Sequence, residues 1–199
     1  MTIVIASDNE GKIKQFKQLF SKLNFNVISK KEAGFLNSIE ETGKTFKENA
    51  QIKATAVFNK TKLPTIADDS GLEVFALNKK PGIFSARYSE EENIPATDEK
   101  NNTKLLNEMK GIKNRKAQYV CALCFIYDTG KMLNVLETVQ GEISTTLKGK
   151  NGFGYDPLFS YNGKTFAELD DEFKNKISHR GKALLKLLKE IENIKNNIV

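Results

Sequence analysis

The 199-residue chain has only two cysteines, three arginines and one histidine. No apolar run approaches the ~20 residues that a membrane span needs. The opening Met1 to Ala6 is apolar but short, lacks a charged start, and runs straight into Ser7-Asp8-Asn9. That layout argues against a secretory signal and for a buried first strand, so a cytoplasmic protein with no membrane partner is expected. Cys121 and Cys124 form a C-x-x-C, with no second copy to complete a zinc site. They fall in 117–128, a stretch of β-branched and aromatic residues that reads as a strand. Positions i and i+3 of a strand point to opposite faces, so the two thiols do not face each other and are expected to be structural.

The shortage of arginine bears on partners. A net charge of +6 raises the question of a phosphate-rich partner. However, nearly all of that charge is lysine spread along the chain, beside many asparagines and isoleucines. The arginine–aromatic interleaving that grips single-stranded nucleic acid is missing, and no nucleic-acid partner is expected. Repeats, linkers and low-complexity tracts are missing as well. A hydrophobic fraction of 39% is enough for a core, so residues 1–199 are expected to form a single domain.

The patterning predicts alternating elements. Residues 3–6 read as a strand and 25–28 as a second one. Between them Ile13, Phe16, Leu19, Phe20 and Leu23 recur at helical spacing. Thr45-Phe46-Lys47-Glu48 is a capping box, and the helix it starts carries Phe46, Ala50, Ala54, Val57 and Phe58 on one face. Residues 65–69 and 72–77 predict two strands, and 98–109 a helix. Residues 117–127 and 132–143 predict an antiparallel hairpin with the four-residue loop Asp128-Thr129-Gly130-Lys131. A last helix starts near Ser178 and packs through Leu184, Leu187, Leu188 and Ile191. Together these give an α/β fold, a mixed central sheet with helices on its faces.

Four segments carry candidate chemistry. Ser7, Asp8, Asn9, Glu10, Gly11 and Lys12 join the first strand to the first helix. Unpaired amides at such a helix start suit phosphate, and Lys12 adds a full charge. The glycine pattern of a Walker A loop is absent, and an ordinary helix cap with a surface lysine is the competing reading. Asp68 and Asp69, before Ser70-Gly71, sit where α/β proteins place their sites, outside a strand's carboxyl end. Mg²⁺ takes one or two carboxylates plus water and phosphate oxygens, and Glu40-Glu41 could supply the second acid. Plain turn chemistry is the alternative for Asp-Asp-Ser-Gly. In Gly152-Phe153-Gly154-Tyr155-Asp156-Pro157 the glycines admit close backbone approach and the aromatics can stack on a base. A tight turn with aromatic anchors explains the same residues. Finally, Lys174 precedes Ser178-His179-Arg180, a cationic pair at a helix start that disfavours positive charge. Either an acceptor-rich ligand lies in front of it, or the terminus is simply solvated.

Taken together, these stretches, with 40–54 (Glu48-Asn49-Ala50 among them) and Pro81-Gly82 with Ser85-Ala86-Arg87-Tyr88, resemble the inosine triphosphate pyrophosphatase family. Asp8 departs from the small residue that bacterial members often carry there. The resemblance implies an elongated α/β fold of two lobes with a cleft between them, usually a homodimer. It implies Mg²⁺-dependent cleavage of dITP, ITP and XTP to monophosphate and pyrophosphate. Ser7 to Lys12 and Lys53 would bind the triphosphate. Asp69 would be the catalytic base and a metal ligand, with Glu40 or Glu41 completing the metal site. Ser70, Phe153, Gly154, Tyr155, Asp156, Lys174, His179 and Arg180 would hold the nucleotide. A sister group that acts on modified pyrimidines has a different N-terminal loop. A non-catalytic basic nucleic-acid module would have no need of Asp69.

Overall fold

The computed structural model describes residues 2–20, 25–92 and 94–196. Thr2–Ile5 (β1) is apolar and buried from Ile3 onward, as a strand covered on both faces must be. It pairs in parallel with Asn26–Ser29 (β2) and with Thr65–Val74 (β3). Glu10–Phe20 (α1) connects β1 to β2 and buries Phe16 and Phe20. Leu23, the last apolar residue of the predicted stripe, lies outside the described residues. Phe46–Thr61 (α2) precedes β3. Thr45 accepts from the Glu48 amide at 3.1 Å, as its box predicts, but the Glu48 carboxylate takes the Lys44 amide, one residue further out.

β3 corrects the sequence reading. Two strands were expected around a polar Asp-Asp-Ser-Gly turn, and one ten-residue strand runs through it. The carboxylates of Asp68 and Asp69 are tolerated inside the sheet because each meets a cation there, as described below. A 3₁₀ turn, Phe75–Leu77, replaces the end of the second expected strand.

Asp98–Glu108 (α3) starts where predicted, with Thr97 as its cap. Lys116–Asp128 (β4) and Lys131–Ile143 (β5) are sheet neighbours. Only Thr129 and Gly130 connect them, two residues rather than four, so they form an antiparallel hairpin. A second hairpin, Phe159–Tyr161 (β6) with Lys164–Thr165 (β7), was not anticipated. Its turn is Asn162-Gly163 with φ of 49° and 83°, the conformation for which Asn-Gly is the strongest short signal. Asp171–Ile177 (α4), capped by Asp170, and His179–Asn196 (α5) complete the chain.

The sheet order is β2-β1-β3-β4-β5-β6-β7, mixed, so the fold is α/β. The chain divides into two compact units. One comprises Met1–Asp69, Cys121–Glu137 and Arg180–Val199, and the other Ser70–Val120 and Thr138–His179. In the first, Ile3, Ile5, Ile66, Leu123 and Phe125 pack with Phe16 and Phe20 of α1 and Leu184 and Leu187 of α5. In the second, Leu72, Val74, Tyr119 and Phe159 pack with Leu105 of α3, with Met109 at its C-cap and with Phe166. Each fully buried side chain of this kind contributes about 1.5–3 kcal/mol. Among the described residues no helix is long and apolar enough to cross a membrane.

Candidate active site

Successive residues of a strand point to opposite faces, so Asp68 and Asp69 look in opposite directions from β3. Asp68 shares its face with Ile66, toward α1 and α5. The Lys12 ammonium stands 2.5 Å from Asp68 Oδ1, and Arg180 Nε donates to Oδ2 at 2.8 Å. Arg180 Nη1 donates to Gln15 Oε1 at 2.6 Å, and Cys121 Sγ lies 3.2 Å from Asp68 Oδ2. Burial alone would push the Asp68 carboxyl up. Arg180 and then Lys12 outweigh it and hold the group well below the usual carboxylate range. Cys121, buried beside this carboxylate, is pushed well above the normal thiol value. Cys124 is also buried, near Lys47 of α2, and its thiol is pushed up to about 11.

Asp69 faces α2. Asn49 and Lys53 lie one turn apart on that helix and therefore on one side of it. Lys53 Nζ donates to Asp69 Oδ1 at 2.8 Å and to Glu41 Oε1 at 2.7 Å. The Asn49 side chain, fully buried, donates to Asp69 Oδ2 at 3.4 Å and accepts from the Gly43 amide at 2.8 Å. It thus ties the acidic loop to the carboxylate. Glu41 reaches this cluster, whereas Glu40 is exposed. One ammonium shared between two acids has unequal effects. Burial would lower the Lys53 value, but Asp69 and Glu41 together raise it. At Asp69 burial outweighs the charges of Lys53 and Lys12, and its carboxyl is raised above the usual aspartate value.

The Ser7 to Lys12 segment is a helix start with part of its donors already used. Asn9 caps α1, accepting from the Lys12 amide at 2.9 Å, and Ser7 Oγ accepts from the Asn9 amide at 3.1 Å. Glu10 and Gly11 occupy the first helical positions. Asp8 turns away to Lys30, 2.7 Å distant.

The second unit gathers the remaining candidates, apart from Arg180. Asp156 is buried and accepts from Lys174 Nζ at 3.0 Å, from the Phe153 amide at 3.1 Å and from the Tyr119 hydroxyl at 3.4 Å. Lys174 Nζ also lies 5.9 Å from the centre of the Phe153 ring. Tyr155, expected to offer its ring to a base, is instead a core anchor. It is buried and its hydroxyl donates to Ser85 O at 2.8 Å. Phe153 stays partly exposed. The His179 ring stacks on Tyr119 at 4.5 Å and 11°. Adjacent in sequence, His179 and Arg180 therefore go to different surroundings, and the expected cationic pair is split. Ser70, the first residue of this unit, is half-buried.

Gly152 lets the loop close on this acid. At φ 80°, an added Cβ would come within 2.0 Å of Asp156 Oδ2 and 2.8 Å of Lys174 Nζ, whereas at Gly154, φ 63°, it would meet nothing within 4 Å. Gly154→Ala is expected to cost only backbone strain, about 1 kcal/mol. Gly152→Ala should cost about 3 kcal/mol, because Asp156 must also leave Lys174. Thermal unfolding of the two variants side by side checks this, and equal losses would mean that the Asp156–Lys174 contact is not what fixes the loop.

Several participants went unnoticed in the sequence. Asn49 stood in the Glu-Asn-Ala stretch without an assigned role. Gln15 is a polar residue on the buried side of α1, and that mismatch was its signal. Asp98 accepts from the Gly154 amide at 2.6 Å and Asn102 donates to the Gly154 carbonyl at 2.8 Å, so α3 holds the glycine loop from both sides of one residue. Tyr119 gave no signal, since an aromatic residue in a strand is ordinary core.

Known proteins resemble this chain along almost its whole length. Residues 3–190 match the model of the Ham1 family. The dITP/XTP pyrophosphatase of Staphylococcus epidermidis is 47% identical over 190 residues, covering 94% of each chain. That of Clostridium tetani is 43% identical over 198 residues, covering 96% of each. The structure of the Staphylococcus aureus Ham1 protein, 45% identical, superposes with a TM-score of 0.85 over 97% of this chain and 99% of that one. A match of this length and depth leaves one assignment: the chain belongs to the Ham1 family.

Proposed function

We propose that the protein is a Mg²⁺-dependent nucleoside triphosphate pyrophosphatase that hydrolyses deaminated purine nucleotides, dITP, ITP and XTP, to monophosphate and pyrophosphate. One observation carries this reading: a buried carboxylate, Asp69, shares the Lys53 ammonium with Glu41, in a chain whose full-length relatives are named for that activity.

The free amides at the start of α1 and the Lys12 ammonium bind phosphate oxygens, with Lys53 adding a second positive charge. A water attacks the α-phosphorus, Asp69 takes its proton, the bond to the bridging oxygen breaks and pyrophosphate leaves. Burial holds the Asp69 carboxyl above its ordinary value, but a cation bound by this carboxylate would lower it, so activation of the water by the metal would contribute more than the basicity of Asp69. The acids also fit a divalent cation in kind, because Glu41 and Asp69 already bracket one positive charge at 2.7 and 2.8 Å. Asp69 and Glu41 would hold Mg²⁺, which when bound supplies phosphate neutralisation and a more acidic water. Among the described residues no three His, Cys, Asp or Glu side chains gather into a cage.

Phe153, beside Lys174 and Asp156, offers its ring to the base, while Tyr155 and Gly154 fix the loop. Ser70, which follows Asp69 directly in β3, would also hold the nucleotide. His179, oriented by Tyr119, donates to the purine 6-oxygen. Hypoxanthine and xanthine present an acceptor there and adenine a donor, a mismatch worth about 1–3 kcal/mol per buried group. Arg180 acts through Asp68 by holding it. The working form is a homodimer in the cytoplasm. The test is pyrophosphate release from ITP, dITP, XTP, ATP and GTP, with Mg²⁺ and again with EDTA. Deaminated nucleotides should be cleaved fastest, and only with metal. Undiminished turnover in EDTA, or equal turnover of ATP, would overturn the reading. A basic nucleic-acid module would release nothing.

A further inference from the structure

Lys30 takes no part in the reaction above, yet at 2% exposure it is more deeply buried than Lys53 or Lys174. A buried ammonium is costly unless its donors are met. Here they are met by Asp8 Oδ2 at 2.7 Å and the Asn37 carbonyl at 2.7 Å, with the Phe35 ring centre 5.3 Å away. The backbone is fixed too, since the Lys30 amide donates to Ile5 O at 3.0 Å and its carbonyl accepts from Phe35 at 2.8 Å. This cation is therefore built into the end of β2, beside the last residue of β1, and points at the turn that follows.

Asp8 is an anomaly in that turn. Its side chain is about half exposed (54%), and it is an acid among residues read as a seat for phosphate. Glu10 stands two residues on, so the turn carries two acids before Lys12. A free carboxylate there would repel a polyphosphate at a range where one unit charge still matters. The flexible cations nearby, Lys14, Lys17 and Lys31, border the same open recess together with Glu32, and Lys17 is already paired with Glu32 at 3.2 Å.

We propose that Lys30 is a positioning residue: it neutralises Asp8 and holds that carboxylate toward the 30–37 segment, so that the Ser7 to Lys12 turn accepts a polyphosphate chain. This rests on the assignment of that turn to phosphate in the function proposed above. Lys30 and Asp8 act as one unit, so the effect of losing Lys30 depends on Asp8 being present. A role confined to supporting the Asn37 carbonyl and Phe35 makes no such demand.

Calorimetric titration with inorganic tripolyphosphate tests the point on wild type, Lys30→Met, Asp8→Asn and the double variant, with ITP hydrolysis by the wild type measured alongside. Lys30→Met is expected to weaken binding about tenfold, and Asp8→Asn alone to tighten it about threefold. In the Asp8→Asn background Lys30→Met should cost no more than about threefold, returning binding to near the wild-type level, because Lys30 then cancels no charge and gives up only its own. Equal weakening by Lys30→Met in both backgrounds would make the lysine merely structural and overturn the proposal. So would wild type that does not bind tripolyphosphate. If Lys30→Met does not fold, Asp8→Asn still decides, since failure to tighten binding refutes the idea. Wild type that binds tripolyphosphate with the expected coupling but releases no pyrophosphate from ITP would refute the enzymatic reading and leave the role of Lys30 standing.

Discussion

Asp69→Asn is expected to lower ITP turnover by about 10³-fold, in line with loss of a general base. Its thermal midpoint should stay within about 3 °C of wild type. The two halves of this expectation share one cause. Burial raises the Asp69 carboxyl above its ordinary value in spite of Lys53. For an acid the sign is then fixed: the folded chain holds the proton to higher pH than the unfolded one, so the ionised group burdens the fold at neutral pH. Replacing it with an amide of equal size removes that burden. Lys53 keeps Glu41 at 2.7 Å, and the Asn49 side chain keeps an oxygen to bond. Steady-state kinetics at saturating Mg²⁺, with calorimetric unfolding beside them, decide. Turnover above a tenth of wild type would remove Asp69 from the chemistry, and a large fall in the midpoint would make it structural.

The neighbouring acid should behave in the opposite way. Asp68→Ala leaves the Arg180 guanidinium and the Lys12 ammonium, 4% and 14% exposed, without their carboxylate. Breaking a buried pair from one side costs about 3–5 kcal/mol, which is a fall of about 10 °C in a chain of this size. The pH dependence follows from the depressed carboxyl of Asp68. Its stabilisation is fully present above the unfolded value, near 3.8, and is lost as pH falls through the lower folded value. Urea unfolding of wild type and variant should therefore show a gap that is constant around neutrality and narrows below about pH 4. A gap that stays constant into strong acid would mean that the loss came from packing and not from charge.

This contrast between two adjacent aspartates was only half legible in the sequence. That both were functional candidates followed from Asp-Asp after an apolar run. That they point to opposite faces did not, because Ser70-Gly71 suggested a turn where β3 continues. Nothing local signals that an acid will be neutralised by residues 16 and 112 positions away, as Asp69 is by Lys53 and Asp68 by Arg180. Elements set by local periodicity and caps, such as α2 behind Thr45 and α3 behind Thr97, were readable. The β6–β7 hairpin was readable too, through Asn162-Gly163, and was missed. The roles of Tyr155 and Arg180 depended on which surface each side chain met, and that is decided by tertiary packing alone.

The division of the chain has a consequence for synthesis. Neither unit is one continuous segment, and the first is closed by Arg180–Val199. A ribosome delivers Asp68 early and its guanidinium partner 112 residues later. Until then the interior position of Asp68 has only Lys12 to balance it, and Phe16, Phe20 and Ile66 lack the leucines of α5 that cover them. The nascent chain therefore cannot finish its first unit in the order in which it emerges. The second unit, whose residues are complete at His179, is ready before the first. The last residues that the first unit needs are thus the last to be made.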